Sequence, residues 1–545
     1  MAGTTNAERK PRPYTASPWG DLFLTHHPPC TPPELLSMKD RAQANKEEVR
    51  RRIVFLLDAS DDDDDLRRKL DLVDALQRLG VDYHYSKEID DLLRAIYDDD
   101  DDSDDLYVTS LRFYLLRKHG YPVSSDVFAK FRDENGNISS DDVNCMMALY
   151  DAAHLRTHGE EILDSIIAFN KNRLQSLIAT RDDLGPELAE EVRFTLETTR
   201  FRRVERVEAR RFISVYEKKA TRDETLLEFA KLDYNILQLL YCQELKELTI
   251  WWKDFQTQTD LRFARDRLVE VHFWMMGVLY EPYYSYSRTI VTKFTMIVSV
   301  FDDLYDNCST TEESKIFTEA MERWDRKAAE QLPEYLKAIY CNIIGTIDDI
   351  VEELKLQNNK NAEIVRRLVI HVAKSYHAEV KWRDEHYVPN DVEEHLQISV
   401  RSSACMQIAN MAFISLGDVA TREAVEWAFT YPNIIKGVCI VGRIGNDIVS
   451  HEREQSSEHV VSTVQTCMKQ YGVTVEQANE KLRVVIEKAW MDILQECLDQ
   501  KYPMALLDKA VNLARTMDFM YKREDAYTLS FSLKDVIDSM YIKFV

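Results

Sequence analysis

The stretch Val300-Phe301-Asp302-Asp303-Leu304-Tyr305-Asp306 places three carboxylates at the end of the largely apolar run Phe294–Phe301. On a helix, which turns by ~100° per residue, Asp302 and Asp306 lie on one face and Asp303 lies beside them. An apolar helix carries such a charge cluster inward only when cations neutralise it. Carboxylates with no nearby histidine suit Mg²⁺, and Mg²⁺ held by few carboxylates completes its shell with substrate phosphates. The stretch therefore predicts a helix that holds Mg²⁺ against a phosphorylated substrate.

Acidic strings are common in this chain, so this motif alone is a weak signal. The chain has 94 Asp and Glu residues among 545. The runs Asp61–Asp65 and Asp98–Asp102 contain the same spacing, and Asp348–Glu352 imitates it. Polar runs of this kind are typical of solvated loops between helices. A second feature is needed to distinguish Asp302.

The segment Asn446–Glu454 supplies that feature. Asn446, Ser450 and Glu454 recur at every fourth position and share a narrow sector of a helix. An amide oxygen, a hydroxyl and a carboxylate form an all-oxygen ligand set for another Mg²⁺. The alternative is a polar stripe on an exposed helix, but Ser and Asn are poor mid-helix residues and Ile434–Ile444 is largely apolar. Two such sites predict one diphosphate held by several Mg²⁺ between facing helices.

Together these segments resemble the two metal-binding motifs of class I terpene synthases. Asp302–Asp306 is similar to the aspartate-rich motif, and Asn446–Glu454 matches the pattern (N/D)D-x-x-(S/T)-x-x-x-E at every defining position. Their order and separation also fit that family. Further similar segments, spread over nearly the whole chain, are Arg112–Tyr121, Phe229–Asn235, Trp251-Trp252, Arg265–Glu270 and Asp525–Thr528. Together these segments resemble those of the sesquiterpene synthases of plant secondary metabolism.

This resemblance implies a fold and a reaction. The fold is all-α with two helical domains, the C-terminal one a helical barrel around an apolar cavity. The activity is that of a carbon–oxygen lyase: Mg²⁺-dependent ionisation of farnesyl diphosphate, cyclisation and rearrangement of the carbocation to a C15 terpene, and release of diphosphate. The implied cofactor is a set of three Mg²⁺ ions, for which Mn²⁺ can substitute.

Candidate site residues follow from the motifs and from the resemblance. Negative charge that grows on the leaving diphosphate must be stabilised, which metal ions and guanidinium groups do. The predicted metal ligands are Asp302, Asp306, Asn446, Ser450 and Glu454. The predicted catalytic residues are Asp302, Asp306, Arg265 and Arg443, and the substrate-binding set adds Asn446, Trp274 and Tyr527. We expect Asp303 to orient the first cluster; whether Asp303 or Asp447 contacts metal is left open.

Separate arguments support the choice of the arginines and of the aromatic residues as site candidates. The resemblance implies that Arg265 and Arg267 contact the departing diphosphate, and Arg443 shares a helix face with Asn446. Ring faces stabilise a cation by ~1–2 kcal/mol or more in a dry site, which makes Trp274, Phe301, Tyr521 and Tyr527 candidates. Aromatic residues at helical spacing usually belong to the core, but the family has aromatics at positions like Trp274 and Tyr527. Ser402-Ser403 resembles a hydroxyl-bearing helix kink that lines the pocket.

The chain departs from the family pattern near both ends. Arg12…Trp19 lacks the tandem-arginine spacing of many monoterpene synthases, and Ala526 replaces the usual glycine in Asp525–Thr528. The first departure disfavours an isomerisation role for the N-terminal segment and leaves its role as a lid open.

Length and composition predict the organisation of the chain. A chain of 545 residues is too long for one core, and 14 Gly with 14 Pro favour helices. We predict an extended segment at 1–35, rich in Pro, Thr and Ser, an N-terminal helical domain at 36–225 and a catalytic helical domain at 226–545. Both metal motifs then fall in the last domain.

Charge and cysteine usage restrict partners and compartment. The net charge of −24 argues against nucleic acid and anionic membranes as partners. No apolar run reaches the ~18 residues of a membrane span, and the N-terminus lacks an apolar signal region. The nine cysteines occur singly, which suits a reducing compartment. We expect a cytoplasmic monomer with no membrane insertion.

Three alternatives remain. A monoterpene synthase would act on geranyl diphosphate instead. A prenyl-chain-elongating transferase also uses aspartate motifs on helices, but normally two of them, whereas the second motif here is Asn446, Ser450 and Glu454. A non-catalytic helical scaffold would have both acidic clusters solvated and would show no Mg²⁺ dependence.

Overall fold

The computed structural model describes residues 14–57, 63–99, 103–180, 184–455 and 461–545. Over these ranges it is helical and contains no β-strand, which confirms the predicted all-α class. The α-helices are α1 (Leu22–Thr25), α2 (Pro32–Leu57), α3 (Asp63–Arg78), α4 (Ser86–Asp98), α5 (Leu106–Lys118), α6 (Val143–Ala153), α7 (Glu161–Thr180), α8 (Pro186–Glu197), α9 (Glu205–Glu217), α10 (Glu224–Gln258), α11 (Leu268–Val278), α12 (Ser285–Asp303), α13 (Thr311–Arg323), α14 (Glu334–Leu356), α15 (Ile364–Glu385), α16 (Val392–Ser402), α17 (Cys405–Ser415), α18 (Arg422–Ala428), α19 (Asn433–Glu454), α20 (Thr463–Tyr471), α21 (Val475–Asp499), α22 (Met504–Met520) and α23 (Lys534–Ile537). Two π-helical turns occupy Leu304–Cys308 and Asp538–Ile542.

Local sequence explains where many helices begin. Thr310 and Glu313 form a reciprocal capping box at the start of α13, and Ser462 does the same with Gln465 at α20. Such caps satisfy backbone N–H groups that have no partner within the helix. Gly472 caps the C-terminus of α20, and its φ of +63° suits a residue without a side chain.

The aspartate runs were predicted as loops, and this is wrong in part. Residues 63–65 lie in the first turn of α3, a position where negative charge stabilises the helix N-terminus. Asp98 is the last residue of α4, and Asp105 caps α5 by accepting hydrogen bonds from the main-chain N–H groups of Tyr107 and Val108. Residues 61, 62 and 100–102 lie outside the described part of the chain.

The larger of two compact units comprises the residues up to His27, Leu240–Trp490 and Ala505–Ile537. Helix α11 is buried along its whole length and α17 along almost all of it, as expected of helices that are apolar all round. Helix α12 packs against α11, α15 and α17, while α19 packs against α16 and α17. These helices surround the pocket described below.

The smaller unit comprises Pro28–Leu239, Met491–Met504 and Asp538–Val545. Part of its core is built by α6, α7 and α8 through Val143, Met146, Tyr150, Leu174 and Val192. The compact units divide α10 between Leu239 and Leu240. The domain boundaries at 35/36 and 225/226 stay predictions. Within the described ranges, no helix has both the length and the apolar character needed to cross a membrane.

Candidate active site

An open pocket lies inside the larger unit. It encloses about 700 Å³ of free space when the solvent at its open mouth is counted. Six of the predicted metal-binding, catalytic and substrate-binding residues line it: Arg265, Trp274, Asp302, Arg443, Asn446 and Tyr527. The other three predicted metal ligands, Asp306, Ser450 and Glu454, are not among the lining residues. Residues far apart in sequence are therefore brought together around one pocket.

The first wall is formed by the end of α12 and by Arg265, which precedes α11. The Arg265 guanidinium forms an ion pair with Asp302. Its Nε lies 3.0 Å from Asp303 Oδ1, and its main-chain N–H donates to Asp303 Oδ2 at 2.7 Å. Burial raises the pKa of Asp303, and the neighbouring Arg265 cation opposes that rise. Asp303 thus holds Arg265, while Asp302, 35% exposed, faces the pocket.

The α-helical spacing assumed for Asp302 and Asp306 ends at Asp303. Residues Leu304–Cys308 form a π-helical turn, in which successive side chains point in different directions from those of an α-helix. Arg383 stabilises this turn because its Nη1 donates to the carbonyl oxygens of Tyr305 and Asp306. The Asp306 side chain is half-buried. Its alignment with Asp302 therefore depends on the π turn, which the sequence did not reveal.

The second wall is the C-terminal half of α19. Asn446 lines the pocket, Ser450 is fully buried and Glu454 is 17% exposed. The Ser450 hydroxyl has no hydrogen-bond partner among the described residues. A buried hydroxyl without a partner is costly, and a bound ligand would relieve that cost.

Asp447 contacts Thr463 and Arg443 and is not among the residues that line the pocket. Its Oδ2 accepts a hydrogen bond of 2.7 Å from the main-chain N–H of Thr463, and its Oδ1 lies 3.8 Å from Arg443 Nη1. Burial raises the pKa of Asp447 to about 6, although Arg443 lowers it. Arg443 also donates to Ser402 Oγ at 3.2 Å and lies 3.5 Å from Glu379. Asp447 therefore helps to position Arg443 and the start of α20.

Aromatic rings form part of the apolar lining of the pocket. The Trp274 ring lies 5.6 Å from that of Tyr527 and 6.2 Å from that of Tyr521. The Tyr527 hydroxyl is 2.5 Å from Ser299 Oγ, and the Arg265 guanidinium carbon is 4.8 Å from the Tyr527 ring centre. The prediction for Phe301 is wrong: it is fully buried against Tyr305 and Phe317 and does not line the pocket. The α12 residues that line the pocket include Val298, Ser299 and Asp302, and Phe301 lies on the side of the helix that faces the core.

A break between α16 and α17 supplies polar groups to the same pocket. Ala404 has a φ of +58°, the left-handed conformation that ends one helix and starts the next in a new direction. Ser402 and Ser403 precede this break and line the pocket. The hydroxyl-bearing kink therefore lies where the resemblance implied.

Several residues at the site were not found by sequence reasoning. The Tyr14 ring lies 5.3 Å from the Arg265 guanidinium, and burial together with Asp303 raises the pKa of Tyr14. Tyr376 lines the pocket from α15. Arg453 contacts Asp525 at 2.5 Å, and Asp525 in turn accepts from the main-chain N–H of Thr528. Tyr14 and Tyr376 lie outside the recognised motifs, whereas Arg453 and Asp525 belong to two different motifs whose contact the sequence did not reveal.

The donor set of the two walls fits a hard divalent cation. The donors are carboxylate, amide and hydroxyl oxygens, and the hydroxyl of Ser450 is buried without a partner. Among the described residues, no three His, Cys, Asp or Glu side chains lie close enough to hold a metal by themselves. Mg²⁺ at phosphate sites commonly takes part of its ligand shell from water and from the substrate.

Helical architecture, two oxygen-rich walls and an aromatic pocket together define a class I terpenoid synthase. Residues 253–492 match the family described as "Terpene synthase family, metal binding domain", and residues 18–196 match "Terpene synthase, N-terminal domain". The chain belongs to the terpene synthase family. The predicted family, fold and enzyme class are thereby confirmed.

Named relatives agree with this assignment. The chain is 56% identical to the (E)-beta-caryophyllene synthase of Zea mays, over 97% of this chain and 95% of that protein. It is 44% identical to the beta-sesquiphellandrene synthase of Sorghum bicolor, over 98% and 96% of the two chains. Isoprene synthase from grey poplar leaves, solved with three Mg²⁺ ions and dimethylallyl-S-thiolodiphosphate, is 30% identical with a TM-score of 0.84, over 94% and 98%.

Proposed function

We propose that the protein is a cytoplasmic, monomeric sesquiterpene synthase that ionises farnesyl diphosphate and cyclises the resulting cation. Three Mg²⁺ ions, replaceable by Mn²⁺, would neutralise the charge that develops on the leaving diphosphate. The ligands we propose are Asp302 and Asp306 on the first wall and Asn446, Ser450 and Glu454 on the second. The observation that carries the proposal is the convergence of Asp302, Asn446 and two arginines on one aromatic pocket.

The protein's own cations would bind the phosphate oxygens. Arg265 and Arg443 both line the pocket, and a guanidinium can donate two parallel hydrogen bonds to a phosphate. Burial alone would lower the pKa of Arg265 and Arg443. The neighbouring carboxylates outweigh burial and raise the pKa of both guanidinium groups, so both stay charged. These cations let an acidic protein attract an anionic substrate.

The aromatic rings would receive the hydrocarbon cation. Trp274, Tyr521 and Tyr527 present ring faces or edges to one space, where they can stabilise positive charge and exclude water. Exclusion of water favours quenching of the cation by loss of a proton over capture of a water molecule, which would give an alcohol. The contour of this space sets the product, whose identity the named relatives do not determine because they differ among themselves.

Purified protein incubated with farnesyl diphosphate and Mg²⁺ tests the proposal. We expect release of diphosphate and formation of volatile C15 hydrocarbons, measured by a phosphate-release assay and by gas chromatography with mass spectrometry. Geranyl diphosphate in a parallel reaction measures the alternative monoterpene activity. A folded sample that yields neither diphosphate nor hydrocarbon, with Mg²⁺ or with Mn²⁺, would contradict the proposal.

A further inference from the structure

Arg265 and Arg267 are two residues apart, yet their side chains occupy different surroundings. Arg265 lines the pocket beside Asp302. Arg267 has no exposed surface and is not among the lining residues. The two arginines of this motif therefore cannot be assumed to share one role.

Each nitrogen of the Arg267 guanidinium donates to a main-chain carbonyl oxygen. Nε donates to Tyr527 at 3.0 Å, Nη2 to Thr528 at 3.0 Å, and Nη1 to Asp266 at 2.8 Å. Glu270 lies on the same side, with Oε1 at 3.8 Å from Nε. A guanidinium engaged in this way would have to abandon the carbonyls before it could reach a phosphate. Its geometry instead suits the two successive carbonyls of a loop.

The loop that Arg267 contacts, Asp525–Thr528, carries a pocket residue. Tyr527 reaches Ser299 with its hydroxyl and packs beside Trp274 with its ring. Two more arginines contact the same loop: Arg265 donates to Thr528 Oγ1 at 3.0 Å, and Arg453 pairs with Asp525. Of the three arginines, only Arg267 has a guanidinium whose hydrogen bonds to the loop all go to main-chain carbonyl oxygens.

We infer that Arg267 is a positioning residue that fixes the loop Asp525–Thr528, and with it Tyr527, against the pocket rather than a second ligand of the diphosphate. The inference rests on the proposed function, because the consequence of a displaced Tyr527 is a pocket that admits water during the reaction. Its structural part, a loop anchored by Arg267, is measurable without turnover.

Arg267→Lys is the central variant, because one ammonium group cannot bridge the three carbonyls that the fork of Arg267 reaches. We expect kcat to fall about tenfold with KM within about twofold, and the share of water-captured alcohol products to rise at least about threefold. Affinity for inorganic pyrophosphate with Mg²⁺, measured by calorimetry, should stay within about twofold of the parent value.

Arg265→Lys should instead weaken pyrophosphate binding by at least about tenfold. Arg262→Lys, with its side chain 89% exposed, is the matched control and should change none of these quantities.

Equal loss of pyrophosphate affinity in Arg267→Lys and Arg265→Lys would overturn the inference, as would an unchanged kcat and product ratio in Arg267→Lys. If Arg267→Lys does not fold, hydrogen exchange of the unmodified protein tests whether the loop Asp525–Thr528 is anchored. We expect the amides of 526–529 to be protected already without Mg²⁺ and pyrophosphate, and rapid exchange there would contradict an anchored loop. Failure of the proposed function would appear separately, as absent turnover in the parent protein, while the calorimetry and exchange results would still report on Arg267.

Discussion

The two walls of the pocket carry their charge differently. On the first, Asp302 and Asp303 are paired with Arg265, a cation that the protein itself supplies. On the second, Asn446 is neutral and the buried hydroxyl of Ser450 has no partner among the described residues. A metal ion bound as we propose would compete with Arg265 for Asp302, whereas it would meet no such competitor at Ser450. A guanidinium displaced from Asp302 would become available to phosphate, which links the binding of metal to that of substrate.

Removal of divalent metal should have the largest effect, because both walls depend on it. We expect EDTA to reduce turnover at least ~10³-fold, and excess Mg²⁺ to restore it. The far-ultraviolet circular dichroism should be the same with and without EDTA, since Arg265 already balances the buried Asp303. Undiminished turnover after exhaustive chelation would contradict the Mg²⁺-dependent mechanism.

Asp302→Ala should give the next largest effect. Loss of this charge should reduce kcat at least ~10²-fold, as the removal of other charge-stabilising groups does. Folding should be preserved because Arg265 keeps its contacts with Asp303. Asp348→Ala is the matched control from the imitating string, where Asp348 binds Trp324 and Arg366 instead. A similar loss in both variants would show that the wrong aspartates were chosen.

Glu454→Ala tests whether the second wall is as important as the first. We expect a loss in kcat of about 10²-fold with normal thermal stability. Glu452→Ala on the same helix is the control, because that side chain is exposed. Parent-like kinetics in Glu454→Ala would restrict the metal site to the first wall.

Ser450→Ala should separate activity from stability. The hydroxyl is buried without a partner, so its removal should leave the free energy of unfolding unchanged or raise it by up to ~1 kcal/mol. Turnover should still fall about tenfold if the oxygen binds metal. Ser450→Thr keeps the hydroxyl and should recover most of the activity. A marked fall in thermal stability with full activity would assign Ser450 to the core.

Asn446→Asp should have the smallest effect. It converts a neutral oxygen donor into a charged one, so the affinity for Mg²⁺ should rise a few-fold while kcat stays within about threefold. Titration of the metal in steady-state assays measures both quantities. Weaker Mg²⁺ binding in this variant would contradict a ligand role for Asn446.

Much of the fold and part of the site were predictable because they depend on local pattern. Apolar periodicity predicted helices, and the motif residues Asp302 and Asn446 do meet at one pocket. The π turn after Asp303, the partner of Arg453 and the position of Tyr14 were not predictable. Each depends on contacts between distant segments, and periodicity reports only the local face of a helix. Phe301 was misjudged for the same reason, since its spacing did not reveal whether it faces the pocket or Phe317.

The position of Tyr14 has a practical consequence for handling the protein. Trp19 and Phe23 are buried, and Asp21 pairs with Lys253, so the segment from Tyr14 to Thr25 is attached to the larger unit at several points. The Tyr14 ring rests beside the arginine that balances both aspartates. Truncations and amino-terminal fusions should therefore leave the segment from Tyr14 to Thr25 intact, because loss of the Tyr14 ring would alter the surroundings of Arg265, which we propose binds the diphosphate.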